Sequence, residues 1–152
     1  MKVTRHRLGV VSLALACVFA GGSTYARRHP KQAWLGSGAV VSPDGTKGGP
    51  QPVKFVFKQD GSQITGRFKC LGRNRCPTIC EKAAVYATLS GDPLTGGTIT
   101  ASGPCQGPAG RVGVTFALRL RYENPSLMTG RYDTILGPDA TFQNDITLNR
   151  RR

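Results

Sequence analysis

The chain has 152 residues, with 21 Lys and Arg against 8 Asp and Glu and a formal net charge of +13. That length supports one domain around one core. Its two histidines, His6 and His29, both precede the first strand-like run, so Ser-His and Cys-His nucleophile schemes and histidine metal sites are excluded from the folded part.

Lys2, Arg5 and Arg7 precede an apolar run over residues 8–20, the pattern of a secretory signal. As a helix that run would span about 20 Å, short of the roughly 30 Å hydrocarbon core, so a cleaved signal is expected rather than an anchor. Cleavage is expected after Ala26, where Gly21-Gly22-Ser23 supply an extended approach to Thr24-Tyr25-Ala26. Cys17 follows Ala14-Leu15-Ala16 and precedes apolar Val18 and Phe19; this is a poor lipobox, and lipidation is not expected. A secreted or periplasmic protein follows. Cleavage leaves 18 Lys and Arg against 8 Asp and Glu, a net charge of +10. Such an excess either solvates the surface or meets an anionic partner such as lipid headgroups, lipopolysaccharide, acidic polysaccharide or nucleic acid.

Residues 27–32 read as a basic leader, and residues 33–41 as a first strand carrying the single tryptophan, Trp34. Residues 42–52 are a loop by composition. Over 53–58, Val53, Phe55 and Phe57 alternate with Lys54 and Lys58, which predicts a strand. Asp60-Gly61 then predicts a type I′ hairpin with Phe57 facing Ile64, Phe55 facing Gly66 and Val53 facing Phe68. Lys54 would face Arg67 outside, a like-charge pair at which an anion can dock.

Residues 70–82 form a loop, and 83–89 a strand with Val85, Ala87 and Leu89 inward. A turn at 90–93 would set Leu94 against Leu89 and Gly96 against Ala87, with a bulge at Gly96-Gly97 restoring Ile99 and Ala101 to the inner face. Residues 103–110 form another loop. In 111–122, Val112, Val114, Phe116, Leu118, Leu120 and Tyr122 alternate with Arg111, Thr115, Ala117, Arg119 and Arg121, a spacing that a helix would scatter. A three-residue turn at 123–125 pairs Leu120 with Met128, Leu118 with Gly130 and Phe116 with Tyr132. The last strand, 140–148, turns Phe142, Ile146 and Leu148 inward with Asn144 between them, and 150–152 form a basic tail. Ile64-Thr65-Gly66, Leu94-Thr95-Gly96 and Met128-Thr129-Gly130 repeat one device, an apolar residue and a glycine flanking an outward threonine just after a turn.

Eight strands, hairpin after hairpin over residues 33–149, predict an all-β, eight-stranded antiparallel up-and-down barrel; an antiparallel sandwich is the alternative. The hairpins at 55–68 and 127–133 resemble those of avidin-type barrels, a likeness that implies the same hairpin architecture over less than a fifth of the chain.

Cys70, Cys76, Cys80 and Cys105 are an even set in an exported chain and predict two disulfides, with three pairings open. A zinc site is the rival, but only Cys76-x3-Cys80 has ligand spacing. Alternating connections put the loops at 42–52, 70–82 and 103–110 at one end of the barrel, together with Lys47, Arg73, Arg75, Lys82 and Arg111 as a candidate ligand-binding rim. No catalytic residue, metal or cofactor is expected. Asp133 and Asp145 are the only carboxylates in strands, and their outward parity beside arginines reads as surface ion pairing. Nucleic acid is disfavoured, because the basic face has only Tyr86 and Trp34 to offer for stacking. Two functions remain. One is a carrier that holds an apolar or amphipathic anionic ligand under the rim. The other is a solid-cored protein that docks on an anionic envelope polymer or a partner protein.

Overall fold

The computed structural model describes residues 30–72 and 75–152; the expected signal, its cleavage site and Arg73 lie outside the described residues. Eight strands follow in chain order: β1 (Gln32–Val40), β2 (Gln51–Asp60), β3 (Gln63–Cys70), β4 (Lys82–Ser90), β5 (Thr98–Gln106), β6 (Val114–Asn124), β7 (Leu127–Gly137) and β8 (Ala140–Arg150). Each pairs antiparallel with the next, and β1 closes on β8. The barrel is thus the observed answer to the edge problem, and the sandwich is set aside. Among the described residues no helix is long and apolar enough to cross a membrane.

Period-2 alternation fills the interior. Trp34, Phe55, Phe57, Phe68, Phe116 and Tyr132 are all fully buried. Their rings form a chain across the lumen: Phe57 meets Phe55 at 4.7 Å, Phe55 meets Phe68 at 6.0 Å, Phe68 stacks on Tyr132 at 4.7 Å, and Tyr132 stacks on Phe116 at 5.5 Å. Trp34 is inside, edge-on to Tyr122 at 5.7 Å, and not on the basic face.

Inner and outer faces agree with the alternation, but hairpin registers differ from expectation by two residues. Asp60 pairs with Gln63, so the turn residues are Gly61 and Ser62. Only Gly61 of the two has a positive φ (58°), which is the II′ pattern rather than I′. Phe57 therefore faces Gly66, Phe55 faces Phe68 and Val53 faces Cys70. An even shift leaves every side chain on its own face. The same slip occurs at the β6–β7 hairpin, where Leu120 pairs with Gly130, Leu118 with Tyr132 and Phe116 with Thr134. Asn124 Oδ1 accepts from the Ser126 amide (2.9 Å) and hydroxyl (2.8 Å), which closes the turn on Pro125-Ser126 and leaves a bulge beside Glu123.

Two stretches expected in strands are loops. Asp92 Oδ1 accepts from the Leu94 amide (2.8 Å), and the Asp92 carbonyl accepts from Thr95 (3.0 Å) and Gly97 (2.8 Å). These bonds coil residues 91–97, leave Leu94 exposed and start β5 at Thr98, where Leu89 faces Ile99 without a bulge at Gly96-Gly97. Likewise Ala109, Gly110 and Gly113 take φ of 52°, 73° and 70° around a short 3-10 turn, Pro108–Gly110. The chain enters β6 only at Val114, so Val112 is 94% exposed rather than inward. At the other terminus Arg150 ends β8, and the Arg151 amide donates to the Ala33 carbonyl (2.8 Å), so only Arg152 follows the last backbone bond.

The inner glycines mark close strand approach. A Cβ at Gly66 would strike the Val56 carbonyl and the Phe57 side chain, and one at Gly130 would strike the Arg119 carbonyl. Gly130→Ala is expected to destabilise the barrel by about 2 kcal/mol, whereas Gly49→Ala, at an open loop position, is expected to be neutral within about 0.5 kcal/mol. Urea unfolding of the two variants checks this; equal stability would contradict it.

Candidate functional site

Strands β2, β3 and β4 turn alternate residues outward, and their registers align those residues in rows. Lys54, Lys69 and Lys82 form one row; Val56, Arg67 and Ala84 form the next; Lys58, Thr65 and Tyr86 form the third. Five of the nine positions are cationic and none is acidic. With strands about 4.8 Å apart and rows about 7 Å apart, the patch measures roughly 10 by 14 Å. Neighbouring charges in the patch lie within about one Debye length of each other, roughly 8 Å at physiological salt. Two unit charges at about 6 Å repel by roughly 0.7 kcal/mol in water, and two such pairs, Lys54–Lys69 and Lys69–Lys82, meet at Lys69. The ion pairs seen among the described residues are Lys47–Asp145 (2.7 Å) and Arg131–Asp133 (3.4 Å), and neither relieves Lys54, Arg67, Lys69 or Lys82. Small Val56 and Ala84 keep the floor beside Arg67 low, Lys31 also lines it, and Tyr86 stands 75% exposed at its edge.

Of the expected rim cations, Arg73 lies outside the described residues, and the other four are placed as follows. Lys47 is paired with Asp145. Lys82 belongs to the lysine row just described. Arg75 is exposed and packs beside Gly72, while Arg111 borders a cleft with Gly72, Cys76, Pro77, Glu81 and Pro108.

Behind that rim the barrel mouth is plugged. Thr78, Ile79 and Cys80 of the β3–β4 loop are buried. Gln51 donates to Thr78 Oγ1, Thr78 Oγ1 donates to Asn144 Oδ1 (2.6 Å), and Asn144 Nδ2 donates to the Thr78 (3.0 Å) and Tyr132 (3.2 Å) carbonyls. Disulfide Cys70–Cys76 closes this loop on itself, and Cys80–Cys105 ties it to β5. All four thiols that a zinc site would use are thereby committed to disulfides.

Burial sets the perturbed acidities. It pushes Tyr132 upward and Tyr122 up to about 12, against a smaller opposing effect of Arg150 on Tyr122. Asp133 is also raised by burial, which outweighs the nearby Arg131. Asp44 is lowered by its bond from the Thr46 amide (3.0 Å). None of these groups lies on the lysine-rich face.

Sequence reading placed Lys54 and Arg67 outward and together but missed Lys69. The signal was present in the alternation of β3; the turn, misplaced by one residue, hid which cations were neighbours. No family model matches the chain, and none of the curated proteins or solved structures compared with it matches either.

Proposed function

We propose that the protein is a non-catalytic, exported binding module that docks on an anionic polymer through the outer face of β2–β4. The observation that carries this reading is the block of five cations with no acid among its nine positions. Each cation added to a like-charged surface carries a repulsive cost that a bound polyanion relieves. The filled lumen supports docking over carriage, because an internal ligand would have to displace the Phe68–Tyr132–Phe116 stack and pass the Thr78–Asn144 plug. Export is supported by the N-terminal signal pattern and by two disulfides, which persist in oxidising compartments. Thr65 and Tyr86 give the face modest hydrogen-bonding and stacking capacity, suited to a sugar or other repeating polymer whose charges carry most of the affinity.

Dextran sulfate serves as the probe. About four released counterions predict roughly 100-fold weaker binding between 50 and 200 mM salt. Lys54→Ser, Arg67→Ser, Lys69→Ser and Lys82→Ser combined should remove most of that salt dependence. Native mass spectrometry of the mature protein should show the polypeptide mass alone. Wild-type affinity in the fourfold variant, or a co-purifying apolar ligand, would overturn the reading.

A further inference from the structure

Strand β3 carries the centre of the lysine-rich face, and in an eight-stranded closed barrel the wall opposite β3 is β7. A second cationic cluster stands there. Arg119 of β6 pairs directly across the ladder with Arg131 of β7, and Arg121 lies between Thr98 and Thr129 one row away. Together they line an open groove.

Two carboxylates, Glu123 and Asp145, also line this groove, and neither is ion-paired to Arg119 or Arg121. Asp145 holds Lys47 at 2.7 Å, and Glu123 accepts from the Thr129 hydroxyl at 2.5 Å. Arg131 is held by Asp133 (3.4 Å) and by Gln143. Arg119 and Arg121 have neither an ion pair nor a side-chain hydrogen bond among the described residues. Gly96 lies against the Arg121 guanidinium, and a Cβ added there would rest in ordinary contact with it at 3.5 Å. A guanidinium pair with a fixed third arginine behind it presents planar forks, which match the paired oxygens of sulfate, phosphate or carboxylate better than point-charge lysines do.

We infer that Arg119 and Arg121, backed by Arg131, form a second oxyanion site, and that one barrel thereby bridges two anionic chains on opposite walls. This inference rests on the docking reading for the lysine-rich face and extends it from one-sided adhesion to cross-linking. Two sites facing away from each other cannot both grip a single short chain, so engaging both joins separate chains or distant parts of a long one.

The test uses a short sulfated oligosaccharide for stoichiometry and long dextran sulfate for bridging. Calorimetry should give two oligosaccharides per wild-type barrel, and one for Arg119→Ser/Arg121→Ser. Light scattering should show wild-type protein cross-linking the long polymer, with maximal scattering at intermediate ratio and loss at excess protein. The double arginine variant should still bind the polymer but need at least tenfold more protein to raise scattering. The fourfold variant of the lysine-rich face should retain one oligosaccharide site. One site in the wild type, still present in the arginine variant, would overturn the second site while leaving the docking reading intact. Two sites in the fourfold variant would overturn the docking reading itself. Repeating the titration with phosphorylated and carboxylated oligomers identifies which oxyanion the forks prefer.

Discussion

Tyr132→Phe is expected to stabilise the barrel by about 1 kcal/mol, and Tyr132→Ala to cost about 4 kcal/mol. The ring of Tyr132 is the middle of the aromatic chain, stacked on Phe68 and on Phe116 at once. Deleting it opens a cavity between rings that cannot close on each other. Its hydroxyl is different: it is buried and has no hydrogen-bond partner among the described residues. Phenylalanine keeps the stack and removes that cost. pH dependence separates the two contributions. Burial raises the Tyr132 pKa in the folded chain above the ordinary tyrosine value of 10.0, so the folded state holds the proton more tightly than the unfolded state. The associated stability is present in full below pH 10 and is lost as pH rises beyond it. Tyr122 adds a smaller loss of the same sign, between 10.0 and about 12. Urea unfolding should therefore show wild-type stability falling above pH 10 more steeply than that of Tyr132→Phe. A destabilised phenylalanine variant, or parallel alkaline slopes, would contradict this account of the core.

Loss of the Cys80–Cys105 bridge, as Cys80→Ala/Cys105→Ala, is expected to cost about 3.5 kcal/mol, against about 2.2 kcal/mol for Cys70→Ala/Cys76→Ala. Chain entropy gives the order, because the first closes 25 residues and the second closes 6. Position reinforces it. Cys80 is fully buried next to Ile79 and the Thr78–Asn144 bond, whereas Cys70 sits at the rim with its sulfur near the Gly72 carbonyl. Cutting the first bridge releases the plug from β5; cutting the second loosens only the loop above it. Hydrogen exchange at residues 78–81 should accelerate in the first variant and change little in the second. Equal unfolding costs with unchanged exchange would refute a plug held by Cys80–Cys105.

Strand number and barrel closure were legible in the sequence, because period-2 alternation over Val114–Asn124 or Val53 to Phe57 leaves one burial solution. Strand ends were not, since 103–106, expected as loop, belongs to β5 and Val112, expected inward, is exposed. Register was less legible. The Asp60-Gly61 pair specifies a tight turn but not whether glycine is its first or second central residue, and that choice moves every cross-strand neighbour by two. The slip is silent for the core, since parity survives, and decisive for the surface, since it replaces a Lys54–Arg67 pair by a Lys54–Lys69–Lys82 row. The loops at 91–97 and 111–113 were hidden for another reason. Asp92 coils its loop by side-chain and carbonyl bonds that compete locally with the ladder, and Val112 continues an apolar alternation that left-handed Gly110 and Gly113 interrupt. The plug was out of reach because it depends on Gln51, Thr78 and Asn144, which lie up to 93 residues apart and carry no local pattern. The rim was expected from strand order alone, which carries no information on side-chain partners. Its cations part company because Asp145 of β8 captures Lys47, while register assigns Lys82 to the sheet.

A two-dimensional NMR titration of the isotope-labelled mature protein with a short sulfated oligosaccharide tests most directly that binding uses the outer wall and not the lumen. The account predicts salt-sensitive shifts at the amides of residues 54–58, 65–69 and 82–86, with the Trp34 indole and the Tyr132 signals unmoved. Saturable shifts at Trp34, Tyr132 and Thr78 with a silent β2–β4 face would contradict it.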